Sequence, residues 1–335
     1  MYVKRIAGVD SFHHFKEDWN HLLITSGLMS PFFRHEWFAS WLENFRRDEE
    51  IHVLIIQDKG QTIGVAPLMI QDRIWKFIAS HYVSDYCDFM VFEDRKEEFY
   101  EELLRYINSQ SPEGFRMELI NIAAESPTLS LFPKIASRWN LKCVSLKSDV
   151  VPVLSLPKSY EGYLRSLKRK NRHELKRKTK KLNSLPHVTV KISKDEDRVK
   201  EEIMNFIQLH RRSSPEKKEF WKNKGMTQFF LDVVLSFSRE RKIELYSLFS
   251  EERLLAALLN FTSADQIFSY NVAFDRDFAR YSPGIFLFNE TIKNAIMDKK
   301  ERLNFLRGRE KYKYFFGAKD SKIMTLKLYP EADLQ

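Results

Sequence analysis

The chain has 335 residues, more than one core comfortably serves, so two domains are expected. A composition of 43% hydrophobic and 30% charged residues excludes a disordered chain, and two distant cysteines, Cys87 and Cys143, exclude a disulfide framework and favour a reducing compartment. The formal charge of +9 points to an anionic ligand, nucleic acid or membrane surface. No apolar run approaches the roughly 18–20 residues needed to cross a bilayer, and Lys4, Arg5 and Asp10 break up any signal-peptide core. The expected location is therefore cytoplasmic, with the inner face of the membrane as its peripheral variant.

In chain order, periodicity predicts a helix over 10–26, with Phe12, Phe15, Trp19, Leu22 and Leu23 on one face, and another over 35–45. His52–Gln57 and Thr62–Ile70 read as a hairpin about Asp58-Lys59-Gly60. Strand 85–92, helix 96–107 and strand 115–122 follow. Pro152 and Pro157 interrupt regular structure and predict a boundary near 150–158, giving domains 1–150 and 151–335. Past it, Ser159 is the predicted N-cap of one amphipathic helix with an apolar stripe of Tyr160, Leu164, Leu167, Leu175 and Leu182. Helices over 195–212 and 227–239 come next, then a hairpin of 243–249 and 254–262, strand 266–274, helix 283–297 and strand 302–306. Helix, helix, hairpin, strand, helix, strand thus occurs twice, offset by about 190 residues, one copy per domain.

This order resembles the GNAT acyltransferase fold and, more closely, the tandem-GNAT family that includes FemAB-like and CelD/BioF2-type acetyltransferases. The segments that carry the resemblance are Pro31-Phe32-Phe33 through Glu36-Trp37, Ile63 through Leu68, Asp85-Tyr86-Cys87-Asp88, and the basic run between Leu164 and Leu175. Ala273-Phe274-Asp275 through Gly284 and Phe305 through Lys313 complete them. The resemblance implies an α/β fold of mixed (α+β) sheets in two tandem GNAT-like domains, each sheet flanked by helices. It also implies acetyl-CoA or another acyl-CoA as donor, no metal, and an acceptor amine or hydroxyl on a small molecule or a glycan, cell-envelope or polysaccharide precursor. FemAB-like relatives suggest a second enzymatic reading, aminoacyl transfer from aminoacyl-tRNA; a non-catalytic anion-binding module is the third. Ordinary GNAT donor loops usually carry two glycines, whereas Arg276–Gly284 carries one.

Pro283 and Gly284 open a helix directly after a strand, where unpaired N–H groups and the helix dipole favour phosphate. Arg276, Arg280, Tyr281, Ser282, Pro283 and Gly284 are therefore the donor-binding candidates. The matching first-domain loop, with Glu93, Asp94, Glu97 and Glu98, would repel phosphate, which assigns donor binding to the second domain and acceptor binding or bracing to the first. For acid–base work the candidates are His210, Tyr270, Glu310 and Lys313, with Tyr312 beside them. A packed histidine, a core tyrosine and a solvated ion pair are the competing readings of these residues. Asp85, Tyr86 and Asp88 are acceptor-binding candidates, or a surface turn. Lys168–Lys181 holds nine Lys or Arg and one Glu. Lys168, Arg169, Lys170, Arg172, Lys176 and Arg177 are its candidates for contact with tRNA, an anionic membrane surface or only solvent.

Overall fold

The computed structural model describes residues 1–6, 8–45, 51–80, 83–111 and 114–331. In chain order the elements are β1 (Tyr2–Ile6), α1 (Val9–His14), α2 (Lys16–Thr25), α3 (His35–Phe45), β2 (Ile51–Asp58), β3 (Gln61–Gln71), β4 (Ile74–Phe77), β5 (Met90–Val91), α4 (Lys96–Gln110), β6 (Arg116–Ala123), α5 (Thr128–Ala136) and β7 (Leu141–Ser155). There follow α6 (Tyr160–Ser166), α7 (Arg169–Leu182), β8 (Val188–Ser193), α8 (Glu196–Ser213), α9 (Pro215–Phe220), α10 (Met226–Arg239), β9 (Ile243–Ser250), β10 (Arg253–Thr262), β11 (Gln266–Phe274), α11 (Pro283–Met297), β12 (Arg302–Asn304), α12 (Lys311–Phe315) and β13 (Lys319–Pro330). Two compact units result: residues 1–150 together with the chain from Ser321 onward, and Val151–Asp320.

In the first unit the strands lie in the order β1-β2-β3-β4-β6-β13, antiparallel except for the parallel pair β4 and β6. The predicted hairpin is present. Lys59 (φ 48°) and Gly60 (φ 83°) both take positive φ, as a two-residue turn joining right-twisted strands requires. Helix 10–26 is broken at Phe15, whose N–H bonds Phe12 O in a tighter step, and α2 then carries the Trp19 indole to Phe33 O at 2.8 Å. The strand expected over 85–92 shrinks to Met90–Val91, because the backbone before it is bonded outside a strand ladder. Cys87 N–H bonds Asn121 O, and the Asp88 carboxylate accepts from Phe89 N–H and from the Ser126 and Thr128 hydroxyls. A Cβ at Gly64 would lie 2.5 Å from the Phe99 ring and 2.9 Å from Met90 O, so only glycine lets α4 and β5 approach β3.

The second unit orders its strands β7-β12-β11-β10-β9-β8, with β11 and β12 parallel and the rest antiparallel. Both faces are covered, so β9 and β10 are buried along nearly their whole length. Tyr246, Leu248, Ala256, Leu258 and Ile267 share one core with α6, α7 and α11. The alternate residues Leu245, Ala257 and Leu259 are equally buried, and Phe261 meets Phe237 of α10 at 4.7 Å on that other side.

The single basic helix expected from Ser159 is two. Ser159 does cap α6, accepting from Gly162 N–H, but Leu167 and Lys168 are extended and α7 starts anew at Arg169. The break lets Leu167 bury beside Gly317 and Leu154, and Arg172 donates to the freed Leu164 carbonyl at 3.3 Å.

Candidate active site

The site is built where β11 and β12 part. Their parallel pairing spans only Gln266–Phe268 against Arg302–Asn304. Two local features end it. On β11 the register against β10 shifts between Leu259 and Asn260, leaving Tyr270 as the extra residue of a bulge. On β12 the chain turns sharply: Asn304 Oδ1 accepts from Leu306 N–H at 2.9 Å, Leu306 takes φ 59° and Gly308 φ 109°. Glycine suits that position because φ 109° is a conformation that residues with a side chain rarely adopt.

The backbone of β11 beyond the bulge is open on one side. Asp275 N–H bonds Leu255 O of β10. Polar backbone groups alternate along a strand, so those of Val272 and Phe274 point away from β10, to the side that β12 has left. Lys217 of α9 reaches across to donate to Val272 O. Burial lowers its pKa to about 8, against the raising effect of the nearby Glu310 carboxylate. The sequence reading passed over this residue. Its signal was Ser214-Pro215-Glu216, a helix start in which Ser214 Oγ caps Lys217 N–H. Arg276 ties the same corner down, donating to Ser213 O at 2.9 Å.

His210, by contrast, is a packed histidine. It is 3% exposed, stacks on Phe206, and accepts the Trp221 indole N–H at Nδ1 (2.9 Å). An indole only donates, so the ring proton lies on Nε2 and the one lone pair is taken. Burial lowers its pKa to about 3, with Lys217 adding to the effect. His210 therefore has no free base at neutral pH, which corrects its assignment as a catalytic candidate. Its Nε2 faces Asn271 without a partner of hydrogen-bond geometry. Tyr270 is half-buried against the rings of Phe230 (6.4 Å) and Phe261 (5.3 Å). Lys313 is only 2% exposed, and its ammonium donates to Leu306 O (3.0 Å), Arg307 O (2.6 Å) and Gly308 O (3.3 Å) while pairing with Glu310 (2.9 Å). It holds the turn that carries β12 away, so it is a positioning residue and not the exposed partner of a solvated pair. Tyr312 stacks on Phe288 at 5.0 Å, and burial raises its pKa far beyond the ordinary phenol range. Glu310 remains exposed at the mouth.

At the N-terminus of α11, Ser282 takes left-handed φ 55° and offers no side-chain cap. Its hydroxyl instead accepts from Lys178 of α7 at 2.7 Å. Lys181 lies over the Tyr281 ring at 5.5 Å and Arg280 over the same ring at 4.9 Å, bonding its hydroxyl. The donor-loop candidates and the basic helix, read separately in sequence, thus meet at one point. The first N–H groups of α11 are flanked by three cations, chemistry that suits an anionic acyl donor. Arg276 is engaged elsewhere, with Ser213.

Of the basic-helix candidates, Lys168, Arg169, Lys170, Lys176 and Arg177 are exposed, with Arg177 gripping Glu174 through two bonds of 2.8 and 2.6 Å. Lys176 and Lys180 line an open pocket of about 650 Å³ with Tyr160, Thr179, Asn183 and Lys293. In the first unit, Asp88 is buried with both oxygens engaged internally and its pKa raised by burial, so it is no acceptor ligand. Asp85 and Tyr86 are half-buried in the loop before β5, with Tyr86 6.4 Å from the Phe32 ring. The acidic first-unit loop is internally paired: Lys96 with Glu93, and Arg95 with Asp58 and Glu98. Among the described residues no cluster of His, Cys, Asp and Glu could hold a metal ion, and no helix is long and apolar enough to cross a membrane.

Residues 169–314 match the family model described as an acetyltransferase (GNAT) domain. A comparison with curated proteins gave no significant match. Among solved structures, FemX is similar at 12% identity and TM-score 0.63, covering 100% of this chain and 98% of FemX. A domain (DUF2156) of an Agrobacterium fabrum protein described as a lysylphosphatidylglycerol synthetase is similar at 11% identity and TM-score 0.62, covering 96% of this chain and 93% of that one. A tandem GNAT protein from the clavulanic acid biosynthesis pathway is similar at 8% identity and TM-score 0.51, covering 98% of each chain. Residues 169–314 thus match a GNAT acetyltransferase domain, and the chain as a whole has the fold of tandem GNAT proteins.

Proposed function

We propose that the second unit transfers an acyl group, acetyl by default, from an acyl-CoA thioester to an amine or hydroxyl. The observation that carries this is the uncapped N-terminus of α11, ringed by Lys178, Lys181 and Arg280, next to the unpaired edge of β11. When bound, the thioester supplies an electrophilic carbonyl carbon and a thiolate leaving group. The three cations and the helix N–H groups bind its phosphates, and the Val272 N–H and the N–H and C=O of Phe274, which face away from β10, orient its amides, the Val272 carbonyl being held by Lys217. The acceptor expected from the family resemblance is a cell-envelope or polysaccharide precursor.

A second reading, aminoacyl transfer from tRNA, is favoured by the lysine-lined pocket of Lys176, Lys180 and Lys293 on the flank of the same helices. It predicts steeply salt-dependent tRNA binding.

The test is the melting temperature of wild type and of Gly284→Asp, with and without millimolar acetyl-CoA. A Cβ at Gly284 meets only Val272 at 3.6 Å, and a carboxylate at a helix N-terminus is favourable, so the variant should fold normally while repelling phosphate. At about 100 times its Kd a ligand adds roughly 2.7 kcal/mol to stability. A shift in wild type that vanishes in Gly284→Asp supports the acyl-CoA reading. No shift in wild type sinks it, and binding of tRNA or of neither ligand then decides between aminoacyl transfer and a non-catalytic role.

A further inference from the structure

We propose that Lys217 is the proton acceptor of the transfer site, poised in the opening between β11 and β12 where the acyl carbonyl and the attacking acceptor must meet. The proposal rests on the acyl-transfer reading above and adds to it a residue outside the usual donor loop.

The argument is geometric first. Lys217 lies in the first turn of α9, yet its ammonium donates to Val272 O, 55 residues later in the chain. That carbonyl points to the side from which β12 has withdrawn. The amine therefore sits inside the slot rather than on its rim. Its backbone N–H is capped by Ser214, and the Arg276–Ser213 bond fixes the turn before α9, so the point from which its side chain starts is set by the fold. The groups facing it are few. His210 of α8 is neutral with its lone pair taken by Trp221. Glu310, from the turn after β12, is the opposing charge, while Glu216 and Arg276 flank the α9 corner. Three other groups near the slot are set aside, His210 by its tautomer, Lys313 by its three carbonyl acceptors and Tyr312 by its raised pKa, while Glu310 is paired with Lys313 at 2.9 Å.

A half-buried amine titrating near 8 is neutral in about one molecule in ten at pH 7, whereas an ordinary lysine, titrating near 10.4, is neutral in about one in a few thousand. In the transfer, the bond formed joins the acceptor nitrogen or oxygen to the acyl carbon, and the bond broken is carbon–sulfur. The acceptor proton passes to Lys217 Nζ, and the thiolate takes a proton in turn, so no oxidant, reductant or metal is required.

The test needs no knowledge of the acceptor. Lysines of the full-length protein are labelled competitively with trace acetic anhydride from pH 6 to 11 and read by peptide mass spectrometry, alone and with desulfo-CoA at a concentration that raises the melting temperature. Lys217 should show a labelling midpoint near pH 8, about two units below the ordinary lysine value, and at least fivefold protection by desulfo-CoA, with the exposed Lys176 unprotected. A midpoint within about half a unit of the ordinary lysine value overturns the proposal. So does absence of protection while desulfo-CoA demonstrably raises the melting temperature, because Lys217 then lies outside the donor slot. If desulfo-CoA gives no thermal shift, the acyl-CoA reading fails and the role falls with it; the midpoint alone then reports whether the lysine is perturbed. Lys217→Arg, which keeps the charge but cannot give up its proton near neutrality, should retain the thermal shift; its loss would make Lys217 a binding group only and overturn the proposal.

Discussion

Replacing Lys313 by Met tests whether the turn that opens the site is held by a buried charge. The ammonium is 2% exposed and satisfies three backbone carbonyls, those of Leu306, Arg307 and Gly308. Methionine matches the stem and abolishes the cost of burying the charge, but leaves those carbonyls without donors. A fully buried unsatisfied carbonyl costs about 1–3 kcal/mol. Leu306 is buried, whereas Arg307 and Gly308 are half-buried and recover part of the loss from water, so a net destabilisation of about 2–4 kcal/mol is expected. Leu306 and Gly308 also lose what holds them at positive φ, so the damage should be local before it is global. Urea denaturation gives the free energy, and hydrogen exchange of peptides spanning 302–316 gives the location. The variant should lose protection there while the hairpin of β9 and β10 keeps its own. A variant with the wild-type urea midpoint and unchanged exchange over 302–316 would refute the reasoning and restore Lys313 to the list of reactive groups.

Two further outcomes follow from buried titratable groups. His210 and His52 are neutral when folded, with pKa values lowered by burial to about 3 and about 4, so below pH 6.5 the unfolded chain binds protons that the folded chain does not. Stability should fall as pH drops from 6.5 to 5, by up to about 1.4 kcal/mol per pH unit for each histidine; a flat profile of melting temperature over that window would refute their burial as neutral rings. Asp88→Ala strands the hydroxyls of Ser126 and Thr128 and the Phe89 N–H, and should cost about 2–4 kcal/mol in urea while leaving any acetyl-CoA thermal shift unchanged; a selective loss of that shift would give Asp88 back a ligand-binding role.

What the sequence made legible is what local chemistry decides. Asp58-Lys59-Gly60 announces a two-residue hairpin because the positive φ values belong to the turn residues themselves. Pro283 and Gly284 announce the start of α11 for the same kind of reason. The break after α6 was not legible, since Leu167 leaves the helix to reach Leu154 and Gly317, contacts that no local pattern encodes. Lys217 was hidden in the same way. Within Glu216-Lys217-Lys218 it reads as a solvated charge, and only the partner 55 residues away buries it. His210 was noticed on the apolar face of its helix, but the donor that fixes its tautomer, Trp221, lies beyond a separate short helix.

The single glycine of the donor loop also finds a physical account. Where a glycine would enter α11 freely, Ser282 holds left-handed φ 55°, a conformation that costs a residue with a side chain about 1–2 kcal/mol. The hydroxyl that a glycine lacks accepts from Lys178, and a hydrogen bond to a charged group contributes about 1.5–3 kcal/mol. Lys178 is half-buried and shares its charge with Glu174 at 3.4 Å, so the lower end of that range applies, and the two terms nearly cancel. The exchange of glycine for serine is then close to neutral for the fold but not for the site. It fastens α7 to the start of α11 and fixes a lysine beside the helix N–H groups. A glycine-rich loop relies on backbone alone to meet an anion, whereas here a side-chain cation is installed by the same residue that replaces the glycine. On this account the reduced glycine pattern and the dense charge of α7 are one feature, and the +9 of the chain is partly spent where an anionic donor would sit.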